Sequence, residues 1–245
     1  MEQSQANLRL FDAHIHTAGI SLCSRVPAEK LIDICAHEGL GGIVLTNHYK
    51  SAHVREDFSD WRKRYVEEYE ITREFGARKG IKVFFGVEVT LDEQTQNDFV
   101  LFGLREQDIL EAEPLFRLSL PELSAFAKEK GALLYHAHPY RRTEPADAAF
   151  LDGVEINCHP IYRTCAEQRV REYADRFGLG ITCGSDYHGD TYKPHCGVWI
   201  PDTVEDGLQF AAYLRENPRP ALTIAPDPAP DASVAPGSGD GVEGT

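Results

Sequence analysis

The residues best suited to chemistry are imidazoles and carboxylates set two positions apart. His14 and His16 stand in the run FDAHIHT, His136 and His138 in LLYHAHPYRR, and Asp186 and His188 in ITCGSDYHG. On an extended strand, residues two apart share a face, so each pair can present two ligand atoms to one metal ion. Asp12 falls on the same face as the first pair. Glu88, in FFGVEVT, is a carboxylate inside an apolar run, a costly position unless it is ion-paired or metal-bound. His48 ends a further apolar run, IVLTNHY. Each motif alone has an ordinary reading as an incidental pair, a packed histidine or a structural ion pair. Together, these nitrogen and oxygen donors suit Zn, Mn or Fe, and the set exceeds what one tetrahedral ion takes, so at least two metal ions are implied. Arg141 and Arg142 follow the second histidine pair, where guanidinium groups suit a phosphate or carboxylate oxyanion.

Short apolar runs alternate with longer amphipathic ones, the pattern of a βα-repeating α/β chain. The spacing predicts strands at Leu8 to His16, Gly42 to Thr46, Ile81 to Val89, Phe99 to Gly103, Ala132 to His136, Gly153 to Asn157 and Leu179 to Cys183. It predicts helices at Pro27 to Glu38, Arg55 to Lys79, Ser119 to Gly131, Cys165 to Phe177 and Val204 to Glu216. Phe58, Trp61, Tyr65, Tyr69 and Thr72 form one helical stripe and read as core packing. Seven such strands point to a parallel barrel of the TIM type, with an open doubly wound sheet as the alternative. No GxGxxG follows a strand-like apolar run and no GxxxxGK[ST] occurs, so nothing favours the open sheet. In a parallel barrel the strand C-termini meet at one rim, and that is where HxH, H, E, HxH and DxH fall.

The 245 residues and 42% hydrophobic content fit one domain with a sizeable core, read as residues 1–224, followed by a disordered acidic Pro/Gly/Ala-rich tail at 225–245. Lys and Arg number 25 against 39 Asp and Glu, and a net charge of -14 opposes binding to long nucleic acids. A small anionic substrate stays possible because bound metal ions can invert the field inside one pocket. Six dispersed cysteines without a CxxC pair read as reduced thiols. With no leader-like segment and no apolar stretch of about 18 residues, the protein is expected to be cytoplasmic and free of the membrane.

In content and order the motifs resemble the polymerase and histidinol phosphatase (PHP) family of metal-dependent phosphoesterases. DAHIHT is similar to its D-x-H-x-H-T, TNH to T-D-H, GVE to G-x-E, AHPYR to its H-P motif, and GSDYH to S-D-x-H, over about residues 10 to 200. The resemblance implies a distorted TIM-like barrel of seven βα units with two or three divalent metal ions (Zn, Mn or Fe) at the strand ends. Carried over by position, His14, His16, Glu88 and Asp186 hold the first metal. Glu88 bridges to a second that His138 also binds, and His48 and His188 belong to a third. The chain departs from the family pattern in three places. Asn47 stands where the family has Asp, which removes a possible hydrogen-bond acceptor; the further ligand of the third site is Cys23 or nothing; and Asp98 must substitute for a histidine at the start of the strand after Glu88.

The implied activity is hydrolysis of a small phosphate ester by metal-activated water. Arg141 or Arg142 would neutralise the charge developing on phosphorus, and His188 or His159 would protonate the leaving group. The role of His136 is open. The alternatives are a C–N hydrolase of the amidohydrolase type, which also opens with HxH on a barrel strand, and a non-catalytic metal-binding domain.

Overall fold

A computed structural model describes residues 7–160, 166–189 and 192–224; the expected tail and Cys165 lie outside the described residues. In chain order the elements are β1 (Leu8–Ile15), α1 (Ala28–His37), β2 (Gly42–Leu45), β3 (His48–Tyr49), α2 (Phe58–Lys79), β4 (Lys82–Thr90), β5 (Asp98–Phe102), α3 (Glu106–Glu111), α4 (Leu120–Lys130), β6 (Leu133–Ala137), β7 (Gly153–Asn157), α5 (Ala166–Phe177), β8 (Gly180–Gly184), β9 (Gly197–Pro201), α6 (Gly207–Glu216) and β10 (Leu222–Thr223). All seven expected strands and five expected helices are present with ends shifted by a few residues.

The strands form one sheet in the order β10-β9-β1-β2-β4-β5-β6-β7-β8, with β3 on the side of β4. The sheet curls until the ends of β1 and β8 meet: His16 N donates to Tyr187 O at 3.2 Å and Asp186 N to His14 O at 2.8 Å. The result is a nearly closed, TIM-like α/β barrel. One expectation needs correction, because the barrel is not all parallel. β5 runs antiparallel to both β4 and β6, and β9 runs antiparallel to β1. The physical reason lies in the connection, since Leu91 to Asn97 is too short for the crossover that a parallel neighbour requires.

Two apolar layers hold the sheet in place. On one side, Trp61, Tyr65, Tyr69 and Thr72 of α2 are buried, as the stripe predicted, and Tyr49 packs edge-on against Trp61 with ring centroids 5.0 Å apart. The Tyr65 hydroxyl donates to the carbonyl of Asn47, so this packing also fixes the loop that carries His48. A second cluster joins Phe11, Phe84, Phe102 and Tyr135 to Phe210 of α6. Phe84, Gly86 and Glu88 share one face of β4 by strand alternation, so the strand that supplies this core also delivers the carboxylate at its end. No described helix is long and apolar enough to cross a membrane.

Candidate metal centre

The strand ends bring every predicted metal-site residue to one rim. Glu88 is at its centre. Its Oε1 lies 3.3 Å from His14 Nε2 and 3.1 Å from His138 Nε2, and its Oε2 lies 3.5 Å from His16 Nε2 and 2.5 Å from His48 Nδ1. Asp186 Oδ1 stands 3.1 Å from His16 Nε2 and 3.6 Å from His14 Nε2. Three groups of donors, each close enough to share one ion, result: His14, His16 and Asp186; Glu88, Asp98 and His138; and His16, His48 and His188.

The hydrogen bonds around these rings decide which nitrogens are available. His14 Nδ1 is 2.9 Å from the carboxylate of Glu155, which can only accept, so the His14 proton is on Nδ1 and its Nε2 lone pair faces the centre. Ser21 Oγ donates to Asn47 Oδ1 at 2.9 Å, so at 3.2 Å it accepts from His16 Nδ1. His188 Nδ1 donates to the carbonyl of Asp186 at 2.8 Å. Three Nε2 lone pairs are thus turned inward, with His14 and His16 Nε2 only 3.0 Å apart and His188 Nε2 3.4 Å from His48 Nε2. Such crowding of bare nitrogens around buried carboxylates requires positive charge between them, as divalent cations provide. His48 Nδ1 and Glu88 Oε2, both buried, meet directly at 2.5 Å. The donor set therefore fits divalent metal.

Burial would lower the His14 and His188 imidazoles, but the carboxylates of Glu155, Glu88 and Asp186 lift His14 well above its usual value, and Cys23 and Asp186 lift His188. The acidic field of the centre thus draws positive charge to these rings. Burial alone would raise the Glu88 and Asp186 carboxyls, but the adjacent imidazoles hold both well below the usual range. Burial, with His188 and His48 beside it, pushes the His16 imidazole well down, which suits a neutral ligand. Burial would also lower His48, yet Glu88 overrides it and lifts that ring to about 10. Cys23 borders His48 and His188, whose contacts outweigh burial and bring its thiol down to about 6.

Left-handed backbone at two of these positions explains how they reach the centre. Asp186 has φ 53° and His138 φ 34°, and with Tyr140 they are the described non-glycine residues with positive φ, a concentration of strain typical of functional sites. At His138 this turn has a further effect. His136 and His138 were expected to repeat the shared-face pair, but the kink after β6 separates them. His136 stacks on Phe99 at 5.4 Å and accepts the Ala146 N–H at 3.3 Å, while His138 turns inward. His136 is a core histidine. Burial and the nearby His138 charge push its ring down to about 3. Above about pH 6.5 the neutral ring carries no charge to desolvate, but as pH falls toward 3 protonation favours the unfolded chain and stability drops by about 5 kcal/mol. His136→Phe is expected to flatten the acid limb of a stability–pH curve between pH 6 and 4, read by urea denaturation; an unaltered limb would contradict the assignment.

Asp12 also departs from expectation. It does not join the donor groups; its Oδ1 accepts the N–H groups of His14 at 3.0 Å and Ser185 at 2.9 Å, tying the ends of β1 and β8 together. Burial raises its carboxyl to about 7. Asn47, where loss of an acceptor was expected, still accepts through Oδ1 from Thr17 N at 2.8 Å and from Ser21 Oγ. Asp98 does stand beside His138, with Oδ2 3.6 Å from Nε2. It opens β5, and because β5 is reversed its first residue reaches the same rim as the last residues of the other strands.

Glu155 has no counterpart in the sequence reading. Besides holding His14, its Oε2 accepts from His138 N at 2.9 Å and from Asn157 Nδ2 at 3.2 Å. Its signal in the sequence, a buried acid on an apolar strand in GVEIN, matches that of Glu88. Glu155→Ala is expected to weaken metal affinity and turnover about 10- to 100-fold. Glu155→Gln should do the same, since an amide N–H facing His14 Nδ1 would drive the ring proton onto Nε2. Unchanged metal affinity in both variants would contradict the role.

Above the centre opens a cavity of about 450 Å³ bordered by Lys50, Arg141, Arg142, His159, Asp186 and His188. Arg141 Nη1 lies 3.4 Å from Asp186 Oδ2 and 3.3 Å from His138 Nε2, between the centre and the opening. The His159 ring packs edge-on against Tyr192 at 4.7 Å.

No protein-family model matches the chain, and no curated protein matches it by sequence. Solved structures do match in fold. A two-domain protein from Bacteroides vulgatus containing a predicted PHP-like metal-dependent phosphoesterase is 18% identical over 90% of this chain, with a TM-score of 0.65. The lesion-specific endonuclease of Pyrococcus furiosus is 12% identical over 88%, with a TM-score of 0.59. An amidohydrolase from Chromobacterium violaceum, with bound sulfate and no metal, is 15% identical over 78% of this chain and covered over 92% of its own length, with a TM-score of 0.55. The chain spans 66% of the Bacteroides protein and 58% of the endonuclease. The fold of this chain is that of the PHP-like metal-dependent phosphoesterases.

Proposed function

We propose that this chain is a PHP-family hydrolase that cleaves a small phosphate ester using two or three divalent metal ions. The observation that carries the reading is the set of inward Nε2 lone pairs on His14, His16 and His188, locked by their Nδ1 partners around Glu88 and Asp186. His14, His16, Glu88 and Asp186 would hold one ion, Glu88, Asp98 and His138 a second, and His48 and His188 a third beside Cys23. When bound, such ions lower the pKa of a water and neutralise phosphoryl charge.

The remaining work falls to the chain. Arg141, placed between the donors and the cavity, binds the phosphoryl oxygens, and Arg142 and Lys50 add positive charge at the mouth. His188 cannot hold an ion through Nε2 and donate a proton from it, and its other nitrogen is committed to the Asp186 carbonyl. Proton donation to the leaving oxygen therefore falls to His159, the other imidazole at the cavity wall outside the donor groups. The phosphoesterase and endonuclease neighbours support phosphoester chemistry. The amidohydrolase neighbour supports the second reading, C–N hydrolysis on the same donors. Parallel assays on phosphate esters and on amides, lactams and ureas separate the two: ester turnover with no amide turnover is expected, and the reverse result would replace this reading with the second.

A further inference from the structure

A second cluster of metal-binding atoms lies away from the histidines. Cys158 follows β7, Cys183 is in β8 and Cys196 precedes β9; all three are buried, and their sulfurs lie within 4.8 Å of one another. Cys158 Sγ and Cys183 Sγ are 3.5 Å apart, and neither these two nor Cys196 is in a disulfide. Four thiolates held tetrahedrally at about 2.3 Å from zinc sit about 3.8 Å from each other, so this spacing needs little adjustment to grip one ion.

The location gives the cluster a purpose. β8 and β10 are the two ends of the strand order, so the barrel has a seam where no ladder joins them. Cys183 Sγ donates to the Thr223 carbonyl of β10 at 3.4 Å, and Leu222 and Ile224 pack on the three sulfurs. Backbone geometry delivers Cys196 to this point. The next residue, Gly197, has φ 145°, and a Cβ there would collide with the Phe11 carbonyl oxygen, so only glycine lets the start of β9 press this closely on β1. Gly184 acts likewise after Cys183, where a Cβ would run into the Cβ of His14.

We propose that Cys158, Cys183 and Cys196 form a structural site for one thiophilic divalent cation, zinc foremost, that clamps the open seam of the barrel. Cys158 and Cys183 come from the end of β7 and from its paired strand β8, and Cys196 from the start of β9, which no ladder joins to β8; the surroundings are buried and apolar, as in closed structural sites. Binding one Zn²⁺ releases a proton from each of three thiols and forms three Zn–S bonds, with no change of oxidation state. The Thr223 carbonyl borders the remaining side. The site is independent of the phosphoesterase reading and would serve the fold under any activity.

The test uses the full chain, purified under reductant and loaded with Co²⁺. A near-ultraviolet thiolate-to-cobalt band is expected in the wild type and in Cys23→Ser, whose thiol borders the histidine centre. The band should vanish in Cys183→Ser and in Cys196→Ala, with bound zinc falling by one ion per chain and Tm by about 5 °C. Should either variant fail to fold, X-ray absorption of the zinc-loaded Cys23→Ser protein reads the same point, with sulfur neighbours at about 2.3 Å expected. A wild type with no thiolate band and a Cys23→Ser protein with no sulfur shell would overturn the proposal, leaving three thiols that pack as small apolar groups. So would a band that disappears in Cys23→Ser and persists in Cys183→Ser.

Discussion

Asp186→Ala and His14→Ala are each expected to lower phosphoester turnover by about 10³-fold or more, since several kcal/mol of charge stabilisation depend on the ions these residues would hold. The loss should appear in kcat with the chain still folded. His14 Nε2 and both Asp186 oxygens face the centre and not the apolar core, although the Asp186 backbone helps join β8 to β1 and survives the substitution. Metal content should fall together with the rate. Circular dichroism and metal analysis on the same preparations check this, and full activity in either variant would remove these residues from the centre. Removing one partner here also leaves the others short of compensating charge. Glu88 and His48 are the pair most exposed to that effect, so Glu88→Ala is expected to shed metal as completely as Asp186→Ala.

His159→Gln carries the second large effect, and it depends on the substrate. A proton donor matters when the leaving oxygen is basic, so hydrolysis of an alkyl phosphate should slow about 10²- to 10⁴-fold. Hydrolysis of a nitrophenyl phosphate, whose leaving group needs no proton, should change little. A merely structural role for the ring against Tyr192 would slow both esters equally. Equal slowing, or none with either ester, would return the donor role to another group.

How much of this was legible in the sequence depended on what each residue needed from its neighbours. The strands and helices follow from local periodicity, and α2 shows it most plainly, its stripe buried from Trp61 to Thr72 with Phe58 half-buried against the same core. The donors at the ends of β1, β2, β4 and β8 were readable because strand ends converge in a barrel whatever the loops do. Strand direction was not read correctly at β5. The seven residues between β4 and β5 held the clue, and reversal is what lets Asp98, a residue at the start of a strand, meet His138 at its end.

Side-chain direction failed where the backbone leaves regular geometry. The two-residue rule placed His136 with His138, but φ 34° at His138 breaks alternation; the irregular register between Asp12 and Ile15 similarly separates Asp12 from His14 and His16. No local pattern marks such points, since the strain is sustained by contacts from distant segments. Glu155 escaped because its partners, His14 and His138, lie 141 and 17 residues away and only the closed barrel brings them within hydrogen-bonding distance. Asn47 shows the converse, a substitution in a motif whose amide oxygen still organises Thr17 and Ser21.

The most direct test of the account is hydrolysis of phosphate esters by chelator-stripped protein as Mn²⁺, Zn²⁺ or Fe²⁺ is added back, with bound metal counted at each step. The account predicts no turnover without metal and recovery in step with occupancy of the histidine–carboxylate centre, in wild type and Cys183→Ser alike. Full ester turnover by metal-free protein, or a fully loaded centre that turns over no ester, would contradict it.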